Sequence, residues 1–218
     1  MKALCGLLLS LPLLAVGQTG VTAHTDGKTV WIEDGGLGPK EVEKVHELFA
    51  THWHYEAIVV RNIMGGVDLA EQMLYTKFAN KPVTVSSRCL SACALLALAG
   101  DPVILNRDAV LAIHGTYSRV DGSLNAERSL KGLDWLAGRL PTVPKETLRT
   151  ALTFPRKDDQ GLLIRPANDG SGLIAVDLCQ RLPDQCKRVR YIGPGESRMT
   201  LAEPTAMSSA PTTARAVP

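Results

Sequence analysis

The stretch PVTVSSRCLSACALLALAGDPVILNRDAVLAIHG, Pro82–Gly115, decides the fold. It opens on a β-branched run, PVTVS (82–86), and passes through RCLSAC into small and apolar residues, Ser91 to Ala99, that read as a buried helix. PVILN (102–106) and AVLAIHG (109–115) then return to the pattern of buried strands. Ser91 stands between Cys89 and Cys93 where strand yields to helix. At that place a serine is either a helix cap or an exposed hydroxyl, and caps are the commoner case.

The same alternation extends outward. KTVWIED (28–34) alternates as a strand does, and GGLG turns the chain. PKEVEKVHELFATH carries Val42, Val45, Leu48 and Phe49 at helical spacing. AIVVRN (57–62) reads as a buried parallel strand that Gly65-Gly66 breaks. VDLAEQMLYTKFAN follows as a helix, with Leu69, Met73 and Leu74 facing inward. Beyond Gly115, the pattern predicts helices over 125–140 and 145–153 and edge strands at LLIRP (162–166) and GLIAVD (172–177). Strands alternating with helices imply an α/β fold with a largely parallel sheet, in a single domain. No internal repeat is visible in the sequence.

The first residues, MKALCGLLLSLPLLAVGQTGVTA, join a positive start to an apolar run and then small residues. That is the layout of a secretory signal peptide over 1–23, with cleavage after Gly17 or Ala23. The run is too short to favour a membrane span, so no stable membrane insertion is expected. Removing it leaves Cys89, Cys93, Cys179 and Cys186. An even number in an exported chain suggests disulfides, and local closure favours Cys89–Cys93 and Cys179–Cys186. A bridge between residues four apart at a helix start lies within disulfide reach and would pin the serine turn. Thiol-disulfide chemistry at Cys89 and Cys93 is the competing use, but the spacing is wider than in thioredoxin-like motifs.

The formal net charge of +2 falls to about +1 when Lys2 leaves, and no basic block stands out, so nucleic acid is not an expected partner. Residues 24–195 are assigned to the domain, and 196–218, rich in Ala, Pro, Thr and Ser, to a disordered tail. His52 and His54 lack a clear third ligand, so no metal is expected. No cofactor is expected either.

Sites in such sheets form where strand ends meet helix starts. Gly65-Gly66 permits a tight turn whose N–H groups can bind an oxyanion. The Ala92 N–H could join them, and His114, at the end of an apolar strand, could accept the proton of Ser91. Each piece alone has an ordinary structural explanation: a turn, a cap, a packed histidine. An acid to orient His114 could come from Asp158, Asp159, Asp169 or Asp177.

NIMGGVDLAEQM followed by SSRCLSACALLALAGDPVILNRDAVLAIHG resembles the Clp protease proteolytic subunit and its relatives in the crotonase superfamily, above all their exported Clp-like branch. The likeness covers about Thr29 to Gly115 and reaches weakly to Pro166. It implies a ClpP/crotonase-like spiral of β-β-α units, with Ser91 as nucleophile, His114 as general base and Gly65, Gly66 and Ala92 as the oxyanion hole. Asp159 best fits the place of the family's acid, with Asp158 next. Met64 stands where the family's turn is smaller and is expected to narrow the groove.

The expectation is therefore a periplasmic or secreted serine hydrolase, a peptidase acting on peptide or protein substrates. The alternative is a catalytically inactive binding or assembly module on the same fold. The resemblance also implies a homo-oligomer, for which Leu130, Leu133, Leu136 and Leu140 could form a contact or simply pack inward. Acyl-CoA chemistry is not expected outside the cytoplasm.

Overall fold

A computed structural model describes residues 20–118, 120–155, 160–181 and 185–203. Residues 1–19 of the expected signal peptide, Asp158, Asp159 and most of the expected tail lie outside the described residues.

The chain winds as a spiral whose repeating turn is strand, bend, strand, helix. The first turn is β2 (Thr29–Leu37) and α1 (Pro39–Thr51); the second is β3 (Ala57–Gly66) and α2 (Asp68–Phe78). In the third, the strand is split into β4 (Val83–Val85) and β5 (Arg88–Leu90), followed by α3 (Ala92–Ala99). The fourth is β6 (Val103–Leu105) and β7 (Val110–Ile113). Strands β2 to β7 pair in parallel, turn upon turn. The architecture is thus an α/β spiral with a largely parallel central sheet, a single domain around one large sheet.

The bends explain why the repeat escapes a sequence search. Asp34 (φ 55°) and Asn62 (φ 53°) take left-handed backbone conformations at matching points of β2 and β3. Glycine is the usual signal for that conformation; Asn and Asp tolerate it through local hydrogen bonds. Here the bonds run between turns: Asn62 Nδ2 donates to Asp34 Oδ1 (3.1 Å), and Arg88 Nη2 donates to Asn62 Oδ1 (2.9 Å). Asn106 Nδ2 donates to Ser86 Oγ (3.2 Å) at the next bends. The strands thus continue through places that read as ends: β2 runs through Gly35-Gly36, and β3 through Gly65-Gly66.

The later strands form an antiparallel wing. β8 (Gly161–Pro166) lies between β7 and β9 (Ile174–Arg181), so neither expected edge strand is an edge. β10 (Gln185–Ile192) takes that position. Both faces of this wing are used. Leu162 and Ile164 join the main core, while Leu163 packs with Ala112 and Cys179 on the opposite face. On that face buried Asp177 is held by Arg165 and Arg188.

Three expectations change. The long helix over 125–140 is two, α4 (Ala126–Lys131) and α5 (Leu133–Arg139), meeting at Gly132. Leu133, Leu136 and Leu140 are buried within the chain and Leu130 packs against the same core, so this leucine row serves packing rather than an intersubunit contact. On α2 the fully buried residues are Ala70, Leu74 and Phe78, with Leu69 and Met73 only partly covered. At the two ends of the described chain, short strands join the sheet. Val21 is buried and β1 (Thr22–Thr25) pairs antiparallel with β2, while β11 (Met199–Leu201) pairs with β6 and buries Met199.

The two disulfides pair as local closure favours: Cys89–Cys93, with Cα atoms 5.2 Å apart, and Cys179–Cys186, at 4.0 Å across β9 and β10. Both are stable chiefly in oxidising compartments. Among the described residues, no helix is long and apolar enough to cross a membrane.

Candidate active site

Ser91 joins β5 to α3 with φ 56° and ψ −123°. For a residue with a side chain this conformation costs on the order of 1–3 kcal/mol and persists only where neighbours over-determine it. The neighbours here do so. The Ser91 N–H donates to the Ala112 carbonyl of β7 (2.7 Å), its carbonyl receives the Leu95 N–H (3.2 Å), and the Cys89–Cys93 bond ties the residues on either side. The cap explanation fails, because the Ser91 side chain makes no capping hydrogen bond. Its hydroxyl instead faces a groove of about 1120 Å³.

Gly65 and Gly66 end β3 beside it. Gly65 has φ 116°, and a Cβ there would lie 3.3 Å from Ser91 Cβ and 4.0 Å from Ser91 Oγ. A Cβ on Gly66 would meet Leu37 Cβ at 2.8 Å and Ala92 Cβ at 3.3 Å. Bare backbone thus adjoins the serine. As the first residue of α3, Ala92 has an N–H with no intrahelical acceptor.

His114 follows β7, the strand paired with β5, and lines the same groove. Its Nδ1 lies 2.7 Å from the Gly115 carbonyl. A carbonyl only accepts, so Nδ1 carries the proton and Nε2 is the nitrogen able to take another. No hydrogen bond joins Ser91 to His114 in this state. Tyr117, whose ring centre is 5.6 Å from that of His114, and Met64, 45% exposed, complete this part of the wall.

The candidate acids separate. Asp177 is committed to Arg165 and Arg188 inside the wing, and Asp169 lies in the loop beyond the far end of β8, where its carboxylate accepts from the Ser171 N–H (3.0 Å). β8 begins at Gly161, where a Cβ would sit 3.4 Å from His114 Cβ. Asp159, two residues earlier in sequence, precedes the point where β8 meets His114.

Sequence reasoning missed three charged residues of the groove: Asp68, Glu71 and Arg128. Arg128 reaches Asp68 Oδ2 at 2.6 Å. Burial pushes the Glu71 carboxyl up to about 7; the Asp68 charge adds to the rise and Arg128 opposes it. The only signal in the sequence was that Asp68 and Glu71 lie one helical turn apart just after the glycines. His52 and His54 lie away from the groove and exposed, and among the described residues no cluster of three or more His, Cys, Asp or Glu side chains is placed to hold a metal.

No protein-family model and no curated protein matches the chain. Solved structures do. An enoyl-CoA hydratase (ECHA3) from Mycobacterium marinum is 18% identical, over 62% of this chain and 68% of that one, with a TM-score of 0.38. A probable enoyl-CoA hydratase from Mycobacterium smegmatis is 14% identical, over 43% of this chain and 52% of that one, at 0.32. EchA3 from Mycobacterium ulcerans is 21% identical, over 43% and 55%, at 0.31. The chain spans about half the length of the Mycobacterium smegmatis and Mycobacterium ulcerans structures.

Proposed function

We propose that this chain is an exported serine hydrolase of the peptidase class. The observation that carries the reading is the left-handed Ser91, which holds a hydroxyl without a capping partner in a groove walled by bare glycine backbone and by His114. A serine that costs stability and caps nothing has a use for its hydroxyl.

In this reading Ser91 Oγ attacks a peptide carbonyl while His114 Nε2 takes its proton. The oxyanion is met by N–H groups of the Gly65-Gly66 segment and of Ala92, at the start of α3, where the helix dipole also favours negative charge. His114 then returns the proton to the leaving amine, and water releases the acyl group by the reverse sequence. Asp159 is the proposed acid, because the chain reaches β8 beside His114. In this reading Asp159 stabilises the imidazolium form of His114. Export and the two disulfides belong to the same reading.

A second reading rests on one observation, the missing hydrogen bond between Ser91 and His114. It would suit a binding module. Unliganded sites often show long catalytic contacts, so the hydrolase reading is preferred. The test is labelling of the oxidised chain with a fluorophosphonate probe, beside Ser91→Ala and His114→Ala. Labelling lost in both variants supports the reading. A folded, oxidised chain that stays unlabelled favours the binding module, and hydration of an enoyl-CoA by that chain would replace both.

A further inference from the structure

We propose that a side branch of the groove binds the free amino-terminal residue of a peptide, its apolar side chain in the branch and its α-ammonium on Glu71. This deepens the hydrolase reading by naming a substrate class. It rests on that reading for what happens to the peptide, but not for the binding itself.

The branch is a pocket of about 200 Å³ lined by Tyr75, Leu95, Leu96, Trp135, Leu136 and Leu152. It shares Glu71 and Leu95 with the groove that holds Ser91. An apolar cavity of about 150 Å³ holds benzene, so this one has room for an isobutyl or benzyl group.

The polar atoms along its wall are satisfied. Ser129 Oγ donates to the Asn125 carbonyl (2.8 Å) and accepts from the Thr116 N–H (2.8 Å), and Trp135 Nε1 donates to the Tyr75 hydroxyl (3.0 Å). The Glu71 carboxyl is the exception: among the described residues it has no hydrogen bond and no ion pair. A ligand filling this branch therefore meets mostly apolar walls and, where the two linings meet, one unpaired carboxyl.

Charge selects what that carboxyl takes. Asp68, Glu71 and Arg128 together carry one net negative charge when Glu71 is ionised, because Arg128 is already matched by Asp68. One added cation balances the set. Burial raises the Glu71 pKa and the neighbouring Asp68 charge adds to the rise, so a cation at this carboxyl relieves both. A neutral amide N–H would leave the negative charge uncompensated, whereas an ammonium forms a charge-assisted bond. An ammonium one carbon away from an apolar side chain is the amino terminus of a peptide beginning with Leu, Met or Phe.

The test uses the full oxidised chain carrying Ser91→Ala, at pH 8, titrated with leucinamide, N-acetyl-leucinamide and glycinamide. The expected result is leucinamide binding at least tenfold tighter than either comparison compound, with that preference lost in Glu71→Gln while thermal unfolding shows the variant folded. Equal or tighter binding of the acetylated compound overturns the proposal, as does a folded protein that does not bind leucinamide, or one that keeps its preference without Glu71. If leucinamide binds as expected but the parent chain is never labelled by a fluorophosphonate, the hydrolase reading falls and this one stands.

Discussion

Glu71 has a consequence for stability that can be read with its sign. Its folded pKa, about 7, lies above the ordinary 4.5 because burial disfavours the carboxylate. A carboxyl raised in this way favours folding while protonated. The contribution is complete below about pH 4.5 and is lost as pH rises through 7. Glu71→Gln removes the titration. The variant should match the parent at pH 4 and exceed it at pH 8 by no more than about 3 kcal/mol, since each unit is worth about 1.4 kcal/mol. Denaturant midpoints at the two pH values check this, and equal differences at both would sink it. Ser91 and His114 were legible in the sequence as residues at successive strand ends. Glu71 was not, because the residues that line its pocket come from α2, α3, α4, α5 and α6 (Lys145–Thr153), which no local pattern brings together.

Among the elements, the two disulfides have different work. Cys89–Cys93 joins β5 to α3 on either side of the left-handed serine, and both sulfurs' residues are buried. Cys179–Cys186 ties the outer hairpin of the wing, away from the groove. Cys89→Ser/Cys93→Ser should therefore lower the fluorophosphonate labelling rate at least tenfold, because one of the restraints on Ser91 is gone. Cys179→Ser/Cys186→Ser should leave that rate within twofold of the parent, although each bridge contributes about 2 kcal/mol by loop closure. Equal losses in labelling would mean that the serine turn does not depend on its own bridge. At this scale the sequence showed the helices α1, α3 and α6 and the strand cores clearly, since each carries a run long enough for a period. It hid β1, β5 and β11, which lack the apolar, β-branched run of the equally short β4 and β6, and the bends, where Asp34 and Asn62 do what glycine would have announced. The wing was hidden for another reason. Which strand is the edge depends on pairing over long distances in sequence, and β10, interrupted by Lys187, Arg188 and Arg190, lacks the apolar run of the strands it borders.

For the molecule as a whole, the first turn of the spiral bears on export. β1 covers β2 from Thr22 onward, Ala23 stands opposite Ile32, and Val21 is buried at 3% exposure. Cleavage after Ala23 would remove a core side chain and half of this strand; cleavage after Gly17 would keep both. The mature protein recovered after export should therefore begin at Gln18, as intact mass would show, and a start at His24 would contradict the proposed maturation. The far end follows the same logic: β11 lies along β6, at the other extreme of the sheet path from β10.

The backbone at Ser91 sets persistence against use. Glycine accepts φ 56° without the penalty that serine incurs, so a lineage copied only for thermal endurance would drift toward Ser91→Gly and lose its hydroxyl first. A serine kept there, generation after generation, would record a benefit larger than the instability it brings. Among descendants of this chain, position 91 would separate working copies from those retained merely as scaffolds.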